Sequence, residues 1–241
     1  MSDKYVDELT ENTHRILTQG EIDAVLRAAA DEKYREFNAR IVNSRLPMWG
    51  VRAPVIQKLA KTVAKAGGDF PDTYAAENFE QILLYALAVA YAKMPLREKF
   101  PYIEKILPKF DNWAHVDMML GAFKQAEKER DAFLEHYRGL ATGNEFERRF
   151  LAVFLMDYCL APAYLPAVFA LYEQMQCDYY YTNMGIAWGL SVALVKFYDQ
   201  TLAFLQKGTM NDFIRKKTVQ KARESYRISP EQKLELKTLF G

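Results

Sequence analysis

An aromatic–carboxylate pair, Trp113 and Asp117, is the feature of this 241-residue chain that could best carry chemistry. The two residues lie four apart in the segment FDNWAHVDMM, and on a helix that spacing places both side chains on one face. The segment predicts a helix that Asp111 or Asn112 caps at its start. Asp117 then lies inside the helix among apolar residues, where a carboxylate needs a partner or a purpose. A core tryptophan beside a salt-bridged aspartate is the simpler alternative, and the segment alone leaves it open.

Two further segments carry side chains that could act together with this pair. Arg148 and Arg149 open an apolar helix; we expect one of them to point toward an outward groove and the other to be an ordinary surface arginine. Tyrosines 179–181 precede Trp188. Such a tyrosine run is typical of core packing, and the alternative is a platform on which other rings stack.

Most other kinds of chemistry find no support in the sequence. None of the three histidines belongs to an HxxH or HExxH motif or to a Cys/His cluster, so we predict no metal site. A GxSxG elbow, a GxGxxG motif and a phosphate-binding P-loop are all absent from the sequence. We therefore expect no cofactor.

Composition and charge describe a folded chain with one basic end. Half of the residues are hydrophobic, which excludes a disordered chain, and the net charge of +1 excludes a nucleic-acid binder that relies on overall basicity. Residues 207–241 contain nine Lys and Arg against four Asp and Glu. A stripe in this region predicts phosphate attraction, with a plain solvated face as the alternative; its members are Arg215, Lys216, Lys217 and Lys221.

Hydrophobic residues recur with a helical period along nearly the whole chain. Spacings of three and four residues separate Ile56, Leu59, Ala60 and Val63, and alternation with period two is absent over any useful length. Proline and glycine interrupt the pattern, as at Phe100-Pro101, and cut the chain into an expected ten to twelve helices. Breaks recur every 35–45 residues or so, a spacing that fits both stacked helical hairpins and an ordinary helical bundle.

Targeting and membrane signals are absent from the sequence. The N-terminal segment lacks the apolar region of a signal peptide, and the richest apolar stretch, Ile82 to Tyr91, is shorter than the ~20 residues of a membrane span. These features predict a cytoplasmic protein without a membrane partner.

Five segments in order along the chain resemble the DNA alkylation repair family, that is, the AlkD-type HEAT-like-repeat alkylpurine DNA glycosylases. The resemblance spans about residues 20 to 235, and it is carried by WGVRAPVIQKLAK (49–61), DNWAHVD (111–117), EFERRFLAVFLMDY (145–158), YYYTNMGIAWGLS (179–191) and RKKTVQKARESYRIS (215–229). Each motif is weak alone, but five at family-like spacing are fairly specific.

The resemblance implies an all-α fold, a right-handed superhelical solenoid of HEAT-like helical hairpin repeats with a concave, positively charged DNA-binding groove. We expect a monomer with a single domain over residues 21–241. Residues 1–20 fall outside the resemblance and form an N-terminal extension, either a helix or a loose tail.

The resemblance also implies removal of cationic alkylated purines, 3-methyladenine and 7-methylguanine, from duplex DNA without a metal or cofactor. The family's tryptophan and aspartate match Trp113 and Asp117, its second groove tryptophan matches Trp188, and its groove arginine matches Arg149 best. In these roles Asp117 stabilises the developing sugar cation and orients water. The two tryptophans line the site and Arg149 contacts phosphate. The four residues are expected to converge on one concave surface, with part of the Arg215–Lys221 stripe.

Three departures from the family keep other functions open, and one of them is the near-neutral net charge, since a dedicated DNA binder is often basic. Active members carry an arginine where this chain has Ser191, and the segment 31–48 does not clearly resemble the helix that enters the minor groove. A non-catalytic paralogue that binds DNA weakly, or binds branched DNA, is therefore the second hypothesis. A protein-interaction solenoid that keeps these residues for packing is the third.

Overall fold

The computed structural model describes residues 15–240, and these residues form fifteen α-helices and two short 3₁₀ helices without a strand. The prediction of an all-α protein is confirmed. The predicted extension lies mostly outside the described residues, which begin at residue 15. The first helix begins at Gln19, so the boundary drawn after residue 20 falls within it.

The described helices fall into two compact units, and the chain passes from one to the other between Lys128 and Glu129. The first unit contains α1 (Gln19–Ala28), α2 (Glu32–Val42), α3 (Ala53–Ala66), α4 (Phe70–Thr73), α5 (Phe79–Tyr91), α6 (Leu96–Ile106), α7 (Trp113–Ala122) and α8 (Gln125–Lys128). The second contains α9 (Arg130–Tyr137), α10 (Glu145–Tyr158), α11 (Leu165–Met175), α12 (Tyr180–Lys196), α13 (Tyr198–Gln206), α14 (Asp212–Glu224) and α15 (Pro230–Phe240). The single domain over 21–241 stays a prediction.

Within each unit, alternate helices pack side by side. In the first unit α5 lies between α3 and α7, and in the second α12 lies between α10 and α14. The intervening helices α6 and α13 pack against α5 and α12. Contacts between every second helix are the pattern that a stack of helical hairpins produces.

Burial follows the predicted helical period. On α3 the buried residues are Ile56, Leu59, Ala60 and Val63, the set whose spacing predicted this helix. The central helix α5 is buried from Phe79 to Ala90, as expected of a helix that packs against neighbours on several sides. No helix of residues 15–240 is long and apolar enough to cross a membrane.

The predicted count of ten to twelve helices is too low. Two single-turn helices, α4 and α8, were not distinguishable from loops by period. The predicted break at Phe100-Pro101 is also wrong, because Pro101 lies inside α6, which continues to Ile106.

A buried carboxylate fixes the loop that leads into α3. Glu80, in the first turn of α5, is fully buried and accepts hydrogen bonds from the backbone N–H groups of Trp49, Gly50 and Val51 at 3.0, 2.7 and 3.2 Å. Gly50 has a φ of +83°, and a Cβ on this residue would lie 2.4 Å from the carbonyl oxygen of Asp31. Only glycine therefore fits at this position without displacing backbone.

Gly50→Ala is expected to lower the free energy of unfolding by about 2–4 kcal/mol, because it adds both backbone strain and a steric clash. Urea denaturation measures the change. Gly20→Ala is the matched control, since nothing lies within 4 Å of the added Cβ on α1. An equal loss of stability in both variants would contradict this assignment of Gly50.

Candidate functional site

Trp113 and Asp117 lie on the accessible side of α7. Asn112 is the N-cap, and its side chain accepts from the N–H groups of Ala114 and His115 at 2.9 and 3.2 Å. Trp113 is therefore the first residue of the helix. Trp113 and Asp117 are half-buried, whereas the three residues between them are buried. The helical spacing predicted for the pair is thus present, with Asn112 rather than Asp111 as the cap.

The Trp113 indole is anchored to the end of α2. Its Nε1–H donates to the carbonyl oxygen of Ile41 at 3.3 Å, one residue before the end of that helix. A helix leaves its last carbonyls without intrahelical partners, and the indole satisfies one of them. This contact holds the ring at the surface instead of letting it turn into the core.

Asp111 ties the loop after α2 to the start of α7. Its carboxylate accepts from the Ser44 hydroxyl at 2.9 Å and from the N–H groups of Arg45 and Leu46 at 2.7 and 3.3 Å. The segment that ends α2 and the segment that begins α7 are therefore held together on both sides of Trp113. Asp111 positions the site.

His115 locks α7 against α5 from inside the core. The imidazole is fully buried; the Asn112 side-chain amide donates to Nδ1 at 2.9 Å, and Nε2–H donates to the carbonyl oxygen of Phe79 at 3.0 Å. Burial lowers the pKa of His115 to about 4, although the bond to Phe79 and the nearby Asp111 charge oppose this shift. His115 is therefore neutral near pH 7, and the hydrogen bonds of its two ring nitrogens hold α7 against α5.

The two arginines of α10 both bind backbone carbonyls. Arg149 is only 6% exposed, and it donates to the carbonyl oxygen of Tyr181 in the first turn of α12 at 2.9 Å. Arg148 donates to the carbonyl oxygens of Gly143 and Met175 at 2.7 and 3.2 Å. The expectation that one of them is an ordinary surface arginine is wrong, because both side chains donate to backbone carbonyls of neighbouring segments.

Trp188 lies on α12 and is 36% exposed. Ser191, one turn further along α12, is buried and donates to the carbonyl oxygen of Trp188 at 2.7 Å. Its hydroxyl is thus bound within its own helix.

The tyrosines at the start of α12 are not simply core residues. Tyr179 and Tyr180 are 44% and 54% exposed, so packing alone does not account for them. The Tyr180 ring lies 5.7 Å from that of Phe213 on α14, in an edge-on arrangement. The Tyr181 ring lies 5.5 Å from that of Phe146 on α10. A row of aromatic rings therefore spans the starts of three adjacent helices.

The basic stripe of α14 is split between different sides of the helix. Lys217 and Lys221 lie four residues apart and share one side of α14 with Phe213. Lys216 faces a groove beside α15 instead. Arg215 forms an ion pair with Asp212. The interpretation of the four residues as one stripe is therefore wrong, since consecutive helical residues point about 100° apart.

Lys217 lies at the level of Trp188 on the neighbouring helix. The adjacent Thr218 donates through Oγ1 to the carbonyl oxygen of Ala187 at 3.4 Å, which aligns this part of α14 with the Trp188 turn of α12. Thus Trp188 on α12 and the two lysines Lys217 and Lys221 on α14 lie on neighbouring helices of the second unit.

Comparison with protein families gives one match. The model of the family described as DNA alkylation repair enzyme matches residues 22–227 of the 241 residues, and the chain belongs to that family. No curated protein and no solved structure gives a significant match. Within residues 15–240, no group of three or more His, Cys, Asp or Glu side chains could hold a metal ion.

The sequence interpretation did not identify the residues that position Trp113. Asp111 and Asn112 were considered only as caps, His115 was set aside, and Glu80 was not considered. The sequence does contain one signal for them, the capping box of Asn78 and Gln81, which marks the start of α5. Glu80 lies in this first turn, and His115 binds to it.

The buried His115 should make the folded protein less stable in acid. A histidine whose pKa is lowered by folding binds its proton more tightly in the unfolded chain, so its contribution is present above pH 6.5 and lost as the pH falls toward 4. The shift from 6.5 to about 4 corresponds to about 3 kcal/mol. His115→Gln removes this titration, so the stability advantage of the wild type over the variant should shrink by that amount between pH 7 and pH 4 in urea denaturation. A pH-independent difference would contradict a buried, neutral His115.

Proposed function

We propose that this protein is a DNA repair glycosylase that hydrolyses the N-glycosidic bond of cationic alkylated purines, 3-methyladenine and 7-methylguanine, in duplex DNA. The proposal includes a right-handed solenoid of HEAT-like repeats as its scaffold. Family membership supports a DNA repair role and DNA as the partner. The observation that supports the enzyme proposal is the half-buried Trp113–Asp117 pair. Hydrogen bonds of Asn112, His115 and the Trp113 indole hold its helix in place.

The proposed chemistry needs few groups. An alkylated purine that already carries a positive charge is a good leaving group, so no general acid is required. As the bond to the sugar breaks, positive charge develops on the sugar ring, and a carboxylate stabilises that charge and orients the attacking water. We assign this role to Asp117. Asp117 is half-buried, and reduced contact with water strengthens its electrostatic interactions.

Aromatic faces recognise the cation. Indole is the side-chain ring that attracts cations most strongly, and one such contact contributes about 0.5–2 kcal/mol depending on exposure. Trp113, fixed by Ile41, and Trp188, 36% exposed, are assigned this role.

Phosphate binding is assigned to side chains that remain accessible. Lys217 and Lys221 on α14 are the strongest candidates because they share one accessible face of the helix. Arg148 and Arg149 were expected to contact DNA, but their carbonyl bonds support a positioning role at the start of α12 instead.

Asp117→Asn should abolish release of methylated purines from alkylated duplex DNA, reducing the single-turnover rate by at least about 100-fold, since it removes the stabilising charge. The measurement is chromatographic detection of the released base with enzyme in excess at low salt. Asp69→Asn is the matched control, because it removes an exposed carboxylate of the same unit and should leave the rate unchanged. A folded Asp117→Asn protein with the wild-type rate would contradict the role of Asp117.

Salt dependence separates phosphate contacts from positioning residues. Changing both Lys217 and Lys221 to Ala should reduce the slope of log K against log salt by about 2 for duplex DNA, because each phosphate contact releases about one counterion. Arg148→Lys should leave that slope unchanged but lower the free energy of unfolding by about 1–3 kcal/mol, since the single nitrogen of lysine cannot replace both Nε and Nη1 of Arg148, which reach the two carbonyls separately. Fluorescence anisotropy measures the slope and urea denaturation measures the stability. A reduced slope in Arg148→Lys, with an unchanged slope in the double lysine variant, would contradict these assignments.

A non-catalytic DNA-binding protein is the second candidate, and the observation in its favour is Ser191. Its hydroxyl is occupied within α12, so the position offers no cationic contact to a phosphate. Salt-dependent DNA binding without any base release from the folded wild type would favour this candidate. Absence of salt-dependent DNA affinity would favour the third hypothesis, a protein-interaction scaffold.

A further inference from the structure

The groove between α14 and α15 lies outside the proposed DNA-binding face and has a volume of about 690 Å³. Lys216 and Arg223 project into it from α14, and Lys233 and Lys237 from α15. Lys216 points away from the stripe of Lys217 and Lys221, so this groove does not belong to the surface assigned to phosphate binding.

The charge of the groove is not compensated. Within residues 15–240, none of its four cationic side chains takes part in an ion pair or a hydrogen bond. Glu224 is the one carboxylate among the lining residues, and it accepts a hydrogen bond from the Gln220 side chain at 3.0 Å. The groove therefore carries a net charge of +3.

Apolar residues also line the groove. Val219 of α14, Leu234 and Phe240 of α15 all line it. Leu236 alone is fully buried on α15 and anchors the helix, whereas Leu234 is 65% exposed. Leu234 is thus not needed to hold α15 in place. Phosphate groups of a nucleic acid would pair with the four cationic side chains but leave these apolar side chains without a partner.

We infer that this groove binds an acidic amphipathic helix of a partner protein. The apolar face of such a helix covers Val219, Leu234 and Phe240, and its Asp and Glu residues pair with the lysines and the arginine of the groove. Helices bind grooves in this manner through apolar residues at spacings of three and four. Complementary charge then selects acidic partners and speeds association. The inference is independent of the proposed glycosylase activity.

A fluorescein-labelled peptide of 13 residues, the length of α14, provides the probe. Its leucines follow the 3–4 helical spacing, and its remaining positions are Asp and Glu. We expect saturable binding to the full chain in fluorescence anisotropy, weakened by salt, with a scrambled peptide of the same composition binding at least about tenfold more weakly.

Two matched leucine variants locate the site. Leu234→Ser should weaken peptide binding by about tenfold because it removes the exposed apolar contact. Leu239→Ser should have no effect, since Leu239 is 44% exposed on the same helix but does not line the groove. Changing both Lys233 and Lys237 to Glu should abolish the salt-dependent part of binding.

Three outcomes would overturn the inference. They are absence of saturable peptide binding to folded protein, equal effects of the two leucine variants, and equal affinity for the ordered and scrambled peptides. If the peptide fails to bind while Lys233→Glu with Lys237→Glu weakens duplex DNA binding, the groove is a nucleic-acid contact instead. Base release is expected to be unchanged in Leu234→Ser, so failure of this inference and failure of the glycosylase proposal are distinguishable.

Discussion

The first unit depends on one constraint, namely that every polar group in the buried first turn of α5 must find a partner. Asn78 and Gln81 cap the turn reciprocally, and the Gln81 amide also donates to Asp23 on α1 at 2.9 Å. The N–H of Phe79 donates to the carbonyl oxygen of Pro47 at 3.0 Å, and its own carbonyl accepts from His115. Glu80 binds three further N–H groups in the loop before α3. Each unsatisfied group would cost about 1–3 kcal/mol in this interior.

The position of Trp113 follows from that constraint. His115 connects the turn of α5 to α7, Asp111 connects α7 to the loop after α2, and the indole of Trp113 closes the connection by binding Ile41. In the second unit the first turn of α10 has a comparable role at the start of α12: Glu145 accepts from the Tyr181 N–H at 2.7 Å and Arg149 donates to its carbonyl. Polar contacts at helix starts therefore orient the helices that carry both tryptophans.

Features that depend on the helical spacing of nearby residues could be predicted from the sequence. Features that depend on hydrogen bonds to residues distant along the chain could not. The helices, the buried face of α3 and the shared face of Trp113 and Asp117 follow from spacing alone. The roles of Arg148 and Glu80 could not be predicted, because each is defined by carbonyl or N–H groups far along the chain. Pro101 inside α6 shows the same limit, since proline disfavours a helix locally but packing of the flanking residues maintains it. The convergence of Trp113, Asp117, Trp188 and Arg149 on one surface stays a prediction.

The proposed function requires catalysis without a general acid, and a comparison of a cationic with a neutral leaving group tests this requirement. The measurement is single-turnover release from matched DNA duplexes that contain either 7-methylguanine, which is cationic, or uracil, which is neutral, at one defined position. We expect release of 7-methylguanine and no release of uracil above the uncatalysed rate, because Asp117 stabilises the sugar but no group protonates a neutral base. Comparable release of both bases would contradict it.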